Sequence, residues 1–537
     1  MSAIVRVTTA AEAAARDADA IGGGVPSRAL MQRAGAAAAG EIARRLGALL
    51  ARGVHLYAGP GNNGGDAWVV ARALATAGVP VRVTAVGESR TPDCRAERAL
   101  AARLLDPHRE LAAAVVVDGL LGTGAHGTPH GEIAEAIHAI ARAKEMGATV
   151  VALDVPSGLD ASTGDAALAV EADLTITFGT LKRGLLVARH LAGRIIVVDI
   201  GLDDDATTAG HDAPILMSSY WLRLALPPIP AAAHKGVRGK LAIVGGAPGM
   251  AGAAVLAARA AARSGIGMVR LLVPPGSLAA VQSAAPHALA TPWPELRRAR
   301  STPMHALGAD VRNAEDDDEI EGISGWADAV CLGPGLGRSP ETRALVEHVL
   351  ARWEGPVLLD ADALNVFAGE ASALGRALSA GSDARPALLT PHAPELARLW
   401  GGSPGEVDAR RFDVGAELAE STGAAVLLKG VPTVVTGVDG ERFVVAAGTP
   451  ALAAAGSGDM LSGIAATLLA QGVPAVDAGA CAAWAHGRAA ELACVEHGVR
   501  GITLQDVEDR LRDAWSAGVE PDVIYPVLAE LPAVAGG

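Results

Sequence analysis

The segment Gly456-Ser457-Gly458-Asp459, within the run GTPALAAAGSGDMLSG over residues 448–463, decides how the C-terminal part of this chain is interpreted. Its small residues allow a tight turn close to a ligand, and the apolar run 460–469 predicts a helix. A helix that starts here presents free N–H groups to a phosphate, and Asp459 is placed to take a proton from a hydroxyl. The alternative is an ordinary glycine turn capped by Asp459, and four residues alone do not decide between them.

The composition predicts several compact domains, because 537 residues exceed what one core supports and half of them are hydrophobic. A net charge of −14 argues against a nucleic-acid partner. The four cysteines have no C-x-x-C spacing, so neither a zinc ribbon nor a disulfide framework is indicated. We find no apolar run of about 18 residues and therefore expect no membrane span. A cytoplasmic location is expected.

The N-terminal half alternates apolar strands with helices. The predicted strands cover residues 54–58, 79–86, 113–117, 149–153, 174–178 and 194–199, and the helices between them cover 68–77, 96–105 and 133–145. This alternation is typical of a parallel, doubly wound α/β sheet of the Rossmann-like kind. Ligands of such sheets bind at the carboxyl ends of the strands.

Three predicted strands end in polar, glycine-rich loops: Asn62–Asp66, Asp118–Gly127 and Asp154–Ser157. Amide and carboxylate oxygens at neighbouring strand ends favour a hard cation beside a ligand. Two alternatives remain open from these residues alone. Gly59-x-Gly61-x-x-Gly64 formally matches the dinucleotide fingerprint of a dehydrogenase, and Asp118 and Asp154 are suitable helix caps.

These loops, in this order, resemble the NAD(P)H-hydrate epimerase family over residues 1–213, and so does the predicted helix that contains Leu30-Met31-x-x-Ala34-Gly35. The resemblance implies a site for the hydrated nicotinamide nucleotide and a potassium ion held by Asn63, Asp118 and Ser157. The implied substrate-binding residues are Asn62, Asn63, Gly64, Gly65, Asp66, Gly122, Thr123, Gly124, Ala125, His126, Gly127, Thr128 and Asp154. Our hypothesis is that Asp154 handles the proton near the epimerised carbon.

The C-terminal half carries a second ordered set of motifs. They are a glycine-rich loop from Gly245, then GPGLG, DADALN, TPHAPE, LKGVPT and finally GSGD. Taken singly they are ambiguous, since His392 is also a suitable helix cap and Lys429 a suitable surface lysine. Together they resemble the ADP/ATP-dependent NAD(P)H-hydrate dehydratase family, which has a ribokinase-like α/β fold, over residues 215–515.

This second resemblance implies its own set of site residues. Contacts to the hydrated substrate are implied for Ala253, Gly335, His392 and Asp459, and contacts to the nucleotide for Lys429, Gly430, Val431, Pro432, Thr433 and Gly458. A magnesium ion is expected with ADP or ATP, and Asp459 is the expected catalytic base. We place the boundary near residue 213, so that the domains cover 1–213 and 214–537.

The predicted function is repair of nicotinamide nucleotides. One domain would interconvert the R and S hydrates of NADH and NADPH (NADHX and NADPHX), and the other would dehydrate the S form at the expense of ADP or ATP. The expected partners are these small molecules, and a homo-oligomer is expected. Two alternatives are a vitamin or sugar kinase with an appended regulatory domain, and an N-terminal half that only binds a ligand or a partner.

Overall fold

The computed structural model describes residues 4–106, 110–202, 211–292, 323–380, 385–516 and 524–534. They fall into two compact units. The first contains the residues up to Leu216 together with the C-terminal stretch 524–534, and the second contains the described residues from Met217 to Ser516. Each unit is described by itself.

The strands are numbered in chain order. They are β1 (Val7–Thr8), β2 (Val54–Ala58), β3 (Val81–Ala85), β4 (Val115–Gly119), β5 (Thr149–Leu153), β6 (Leu174–Phe178), β7 (Leu181–Lys182), β8 (Arg194–Val198), β9 (Ile215–Leu216), β10 (Lys240–Val244), β11 (Met268–Val273), β12 (Leu289–Pro292), β13 (Ala329–Leu332), β14 (Val357–Leu359), β15 (Ala387–Leu389), β16 (Ala425–Leu428), β17 (Thr433–Thr436), β18 (Arg442–Val445) and β19 (Val527–Leu531).

The helices connect these strands. They cover Ala10–Gly22, Ser27–Leu50, Asn62–Thr76, Pro92–Ala101, Gly131–Glu145, Arg183–Val187, Arg189–Ala192, Ser219–Ala225, Ala251–Arg263, Leu278–Ala284, Pro340–Arg352, Asp362–Asn365, Ala371–Ser379, Ala393–Trp400, Pro404–Ala409, Val414–Thr422, Ser457–Ala470, Ala475–His497 and Leu504–Ser516, with short 3-10 turns at Pro275–Ser277 and Pro450–Leu452. Among the described residues, no helix is long and apolar enough to cross a membrane.

The first unit is built on a sheet with the strand order β19-β8-β6-β5-β4-β2-β3. All of its pairs are parallel except β19 with β8. Alternate strand residues lie on opposite faces. Val54, Leu56 and Ala58 pack with the helices Ser27–Leu50 and Asn62–Thr76, and Tyr57 packs with the helix Gly131–Glu145 on the other face. Both faces are covered, which is why the strands are nearly continuous apolar runs.

The second unit is also a largely parallel sheet, in the order β12-β11-β10-β13-β14-β15-β16-β17-β18. The last two pairings, β16 with β17 and β17 with β18, are antiparallel. Ala242 and Val244 face the core formed with helices such as Pro340–Arg352. Leu241 and Ile243 are equally buried, on the face covered by the helices Ala251–Arg263 and Ser457–Ala470. The predicted α/β class is therefore confirmed for both units.

The last described strand, β19, lies in the first unit and not in the domain predicted for it. Residues 214–537 were assigned to one domain, but β19 pairs antiparallel with β8 in the first unit. The side chain of Arg45 makes two hydrogen bonds to Glu530, of 2.9 and 2.7 Å. Arg194 donates a third, of 2.6 Å, to the same carboxylate. Backbone pairing and this charge cluster hold the strand in the first unit.

Candidate functional site

The first site, at the carboxyl ends of β2, β4, β5 and β6, begins with the segment Asn62–Asp66. We expected a loop here and a helix from Trp68, but the helix starts at Asn62. A Cβ at Gly64 would lie 1.9 Å from the carbonyl oxygen of Gly59, so only glycine allows this close approach. Polar and small residues in the first turn hide the helix start from a search for apolar periodicity.

Asn63 is buried, with 6% of its surface exposed, while its neighbour Asn62 faces solvent. The amide nitrogen Nδ2 of Asn63 donates to the carbonyl oxygens of Leu121 (2.8 Å) and Leu153 (3.1 Å). Its oxygen Oδ1 is buried and has no hydrogen-bond partner among the described residues. A buried, unpaired amide oxygen is costly unless a ligand completes it.

Asp118 and Ser157 form a hydrogen-bonded pair, and both are fully buried. Asp118 was expected in a loop, but it lies within β4, whose last residue is Gly119. Its Oδ1 accepts from the hydroxyl of Ser157 (2.6 Å) and its Oδ2 from the backbone N–H of Ser157 (2.8 Å). Burial raises the pKa of Asp118 to about 6, against the effect of these hydrogen bonds. The group is therefore largely ionised at neutral pH.

These groups fit an alkali-metal ion better than a transition metal. The Oδ1 of Asn63 lacks a partner, and its Nδ2 shares the carbonyl of Leu121 with the hydroxyl of Ser157, which lies 3.4 Å from that oxygen. A carboxylate, an amide oxygen and a hydroxyl are hard oxygen donors with a single negative charge. Asn63, Asp118 and Ser157, the implied potassium ligands, are therefore linked to one another by hydrogen bonds and by the shared carbonyl of Leu121.

Asp154 directly follows β5 with a backbone φ of +65°, a conformation that is uncommon outside glycine but more accessible to Asp and Asn than to most residues. Its Oδ1 forms an ion pair with the ammonium of Lys182, at a distance of 2.7 Å, and both side chains are largely buried. Lys182 also donates to Thr177 (3.0 Å) and to the carbonyl of Phe178 (2.9 Å). The fold thus holds the Asp154 carboxylate in one place.

Asp66 adds a second carboxyl group to this site. Burial holds its pKa well above the ordinary value, and the charges of Asp154 and Asp17 add to this effect, whereas Lys182 opposes it. Neither Asp17 nor Lys182 was singled out from the sequence. Lys182 could have been predicted as a site residue from its position. It follows the end of β6 by four residues, at the same edge of the sheet as the three polar loops.

The segment Gly122–Thr128 follows β4 and borders both parts of the first site. A Cβ at Gly122 would lie 3.3 Å from Cβ of Asn63 and 3.5 Å from Oδ2 of Asp154. The segment then turns outward: Gly124, His126, Gly127 and Thr128 are exposed, and Thr123 and Ala125 are partly exposed. His126 lies 3.8 Å from Asp160. The segment can therefore contact a ligand from the solvent side.

The second site, at the carboxyl ends of the second unit's strands, is organised by the helix Ser457–Ala470. We expected this helix from Met460, but it starts at Ser457 after Gly456, whose φ is +93°. Gly458 and Asp459 therefore lie in its first turn, where the helix dipole favours negative charge. Burial raises the pKa of Asp459 to about 7, and the nearby charge of Asp360 adds to this effect while Lys429 opposes it.

Lys429 connects the end of β16 to this first turn. Its ammonium lies 2.7 Å from Oδ1 of Asp360 and 3.9 Å from Glu395, and a Cβ at Gly458 would lie 3.3 Å from it. Burial disfavours the charged form of Lys429, but the charges of Asp360 and Glu395 prevail and raise its pKa. The other oxygen of Asp360 accepts from the hydroxyl of Ser462 (2.6 Å). Lys429 is therefore a fixed cation within the site.

His392 caps the helix Ala393–Trp400, as one of the two interpretations of the sequence expected. Its Nδ1 accepts from the backbone N–H of Glu395 (3.1 Å), and the Glu395 carboxylate accepts from the backbone N–H of His392 (3.0 Å). Burial lowers the pKa of His392. Because Nδ1 is an acceptor, the proton of the neutral ring is on Nε2. The cap thus orients the ring, and Nε2 lies 3.5 Å from Oε1 of Glu395.

Gly335 and Ala253 lie against each other. A Cβ at Gly335, whose φ is +62°, would lie 2.7 Å from the carbonyl oxygen of Met250 and 3.0 Å from Cβ of Ala253. Two residues further on, the backbone N–H of Gly337 donates to Asp362 (2.8 Å). The Asp362 charge in turn acts on Asp459. Gly335 and Ala253 therefore lie close together, next to a segment that contacts Asp362.

The segment Lys429–Thr433, which the resemblance implies as a nucleotide contact, forms a short loop between β16 and β17. Gly430 and Val431 are exposed, Val431 at 71%, while Pro432 is buried and Thr433 is partly exposed. The hydroxyl of Thr433 donates to the carbonyl of Gly430 (3.1 Å). The loop presents its middle to solvent and anchors both of its ends.

Three further carboxylates lie in the second site, Asp360 and Asp362 of the motif DADALN and Glu395 of the motif TPHAPE, and the sequence alone indicates no role for them. Asp360 and Asp362 flank Ala361, whose φ is +48°. Asp362 accepts from the backbone of Gly337 and from Arg338 (2.9 Å). The partners of Asp360 and Asp362 lie at least 24 positions away in the sequence, so spacing alone gave no role for these two residues. Glu395 pairs with His392, three residues earlier.

Comparison with known proteins finds matches for the parts of the chain that contain both sites. Residues 27–184 match the family model described as YjeF-related protein N-terminus, and residues 241–513 match that of NAD(P)H-hydrate dehydratase. The bifunctional NAD(P)H-hydrate repair enzyme Nnr of Moorella thermoacetica is 35% identical over 508 residues, which cover 91% of this chain and 92% of the relative. Its Escherichia coli K12 counterpart is 35% identical over 473 residues, with 84% and 83% covered.

A solved structure is also similar to the second unit. It is that of the ADP/ATP-dependent NAD(P)H-hydrate dehydratase from Bacillus subtilis, co-crystallised with ATP and Mg2+. It is 27% identical with a TM-score of 0.46, and it covers 57% of this chain and 98% of its own.

The match of both halves, over nearly the whole length of the curated relatives, defines a two-domain enzyme of nucleotide repair. The chain belongs to the family of bifunctional NAD(P)H-hydrate repair enzymes, which join an epimerase and a dehydratase in one polypeptide. The alternatives of a vitamin or sugar kinase, and of an N-terminal half that only binds a ligand, are set aside.

Proposed function

We propose that the first site interconverts the R and S hydrates of NADH and NADPH, and that the second site dehydrates the S form by phosphorylating its hydroxyl from ADP or ATP. The observation that carries this proposal is the arrangement of Asp459, with its pKa of about 7, at a helix start beside the Lys429–Asp360 ion pair. This places a base, an anion site and a fixed cation together.

The test is recovery of absorbance at the NADH band when the full chain is given an equilibrated mixture of R- and S-NADHX. With ADP or ATP, we expect the whole mixture to be converted, because R hydrate is supplied to the second site by epimerisation. Recovery of only the S fraction would contradict the epimerase assignment. No recovery with either nucleotide would contradict the dehydratase assignment.

For epimerisation, we propose that Asp154 removes the proton of the hydroxyl on carbon 6. That carbon is bonded to both a hydroxyl and the ring nitrogen, so it is a hemiaminal. Loss of the hydroxyl proton, with proton return to the ring nitrogen, opens the C–N bond to an aldehyde, and closure on the other face gives the other epimer. The buried ion pair with Lys182 would hold the carboxylate in position. Asn62–Asp66 and Gly122–Thr128 would bind the nucleotide around it.

Potassium is proposed to bind Asn63, Asp118 and Ser157. When bound, the ion would supply a positive charge that holds a negatively charged ligand group at the strand ends. The unpaired Oδ1 of Asn63 supports this assignment, as do the oxygen donors next to it.

The potassium proposal predicts a K+-specific gain in thermal stability. Replacing Na+ by saturating K+ should raise the melting temperature of the first unit by on the order of a few degrees, since the ion binds only the folded state. Asn63→Ala should abolish that difference, whatever its own baseline stability. Asn62→Ala is the matched control, because Asn62 is exposed, and it should keep the difference. Equal shifts with Na+ and K+ would contradict the assignment.

For dehydration, we propose that Asp459 takes the hydroxyl proton while the oxygen attacks the terminal phosphorus of the nucleotide. The P–O bond to the nucleotide breaks, giving AMP from ADP or ADP from ATP. The ring-nitrogen electrons then expel phosphate, and loss of a proton from carbon 5 restores NAD(P)H. Lys429 and the N–H groups at Gly458 would stabilise the charge on the transferred group. Ala253, Gly335 and His392 would line the substrate side.

Magnesium is proposed to enter with the nucleotide. Both oxygens of Asp360 are taken up by Lys429 and Ser462, and both oxygens of Asp362 by Gly337 and Arg338. The residues therefore do not form a site that would bind the ion alone, and nucleotide phosphates commonly supply the remaining ligands. The ion would neutralise phosphate charge.

A cytoplasmic location, where NAD(P)H and ADP are used, and a homo-oligomer are also part of the proposal.

A further inference from the structure

The turn between the helices Pro404–Ala409 and Val414–Thr422 places a buried arginine beside the nucleotide-binding loop. Arg411 is 8% exposed. Its Nη1 donates to the carbonyl oxygen of Lys429 (3.3 Å) and to that of Pro432 (3.2 Å). One nitrogen thus joins the two ends of the loop, while Gly430 and Val431 between them remain exposed.

Arg411 is itself held in place. Its Nη2 pairs with the carboxylate of Asp408, three residues earlier, and the next residue, Phe412, is buried at 6% exposure. Because the planar guanidinium has a fixed fork of donors, it can bond to two carbonyls and a carboxylate at once.

Gly430 shows how tightly the guanidinium fills the space under the loop. Its φ is +154°, and a Cβ at this position would lie 2.2 Å from Nη1 of Arg411 and 2.6 Å from the guanidinium carbon. The loop can therefore contain no larger residue here without displacing Arg411. The position of the Arg411 guanidinium therefore depends on a glycine at residue 430.

We propose that Arg411 is a positioning residue that holds the Lys429–Thr433 loop in its nucleotide-binding shape, an inference that rests on the proposed dehydratase function. Arg411 does not touch the nucleotide in this role. It acts through the two carbonyls, and so fixes both the backbone of the loop and the residue that carries the Lys429 ammonium. A loop that is ordered before binding costs less to immobilise, so Arg411 should affect nucleotide affinity.

The test is a fluorescence titration of the full chain with mant-ADP and Mg2+, alongside steady-state kinetics. For Arg411→Ala and for Gly430→Ala we expect the dissociation constant to rise about tenfold or more, the effect of losing one or two charge-assisted hydrogen bonds. KM for ADP should rise in parallel, while KM for S-NADHX should stay within about twofold. Arg411→Lys keeps a donor and should recover part of the loss.

Arg410→Ala is the matched control. This neighbouring arginine pairs with Glu417 and lies over the ring of Trp400 instead of the loop, so mant-ADP binding should be unchanged. Unchanged binding in both Arg411→Ala and Gly430→Ala would overturn the inference and leave the nucleotide site intact. An equal rise in KM for both substrates would also overturn it, since that indicates general loss of structure. Absence of mant-ADP binding by the unmodified chain would overturn the proposed nucleotide site and this inference with it.

Discussion

Asp459→Asn is expected to lower kcat/KM for NADHX dehydration by roughly 10²–10⁴-fold, the usual contribution of a general base. The amide keeps the size of the side chain but cannot accept the hydroxyl proton. Epimerisation should continue at the unmodified rate, because Asp459 belongs to the second unit. The two activities are measured on one sample, by NADH absorbance and by chromatography of the R and S forms.

The same residue predicts the pH dependence of dehydration. Burial raises the pKa of Asp459 to about 7, and only the ionised form takes up a proton. The value of kcat/KM should therefore fall about tenfold per pH unit below pH 7 and level off above it. Asp439→Asn, an exposed turn residue between β17 and β18, is the control and should leave the profile unchanged. Dehydration at the full rate in Asp459→Asn would refute the role.

Asp154→Asn is expected to have the second large effect, a loss of epimerisation of roughly 10²–10⁴-fold. The substitution removes the proposed proton acceptor and leaves the buried ammonium of Lys182 without its ionic partner. Unpaired buried charge is destabilising, so the melting temperature of the first unit should also fall. Dehydration of purified S-NADHX should persist, and R-NADHX should accumulate unrepaired.

A control separates chemistry from stability in this experiment. Asp165→Asn changes an exposed carboxylate in the turn that follows the same strand end, and it should preserve epimerisation. Lys182→Met should lower epimerisation as well, since Asp154 loses its orientation. Full epimerisation by Asp154→Asn at a temperature where the variant is folded would remove the residue from the mechanism.

The sheets and the strand-end position of both sites could be predicted because buried parallel strands leave a strong signal. Apolar strands such as β5 and β16 end directly before polar residues, and parallel order brings those ends together. Helix starts were less predictable. Asn62 and Ser457 begin helices with glycine-rich, polar first turns, whose structure depends on packing against residues such as Gly59 rather than on apolar periodicity.

The contacts among the residues of the second site could not be predicted from spacing. The hydroxyl of Ser462 reaches Asp360 across 102 positions, and Lys429 reaches the same carboxylate across 69. Such contacts follow from the order of strands in the sheet, which a linear pattern does not contain. His392 is a further example, because the residue that the resemblance implies as a substrate contact also caps a helix together with Glu395.

The return of β19 to the first unit makes the second unit an insertion within the first in terms of chain order. During synthesis, β8 emerges more than 300 residues before its partner β19, a delay of roughly 15–60 s at ordinary elongation rates. Throughout that interval the sheet edge at β8 has no strand beside it, and open edges invite pairing with other chains. The sheet of the first unit is therefore completed only after the described strands of the second unit have been synthesised.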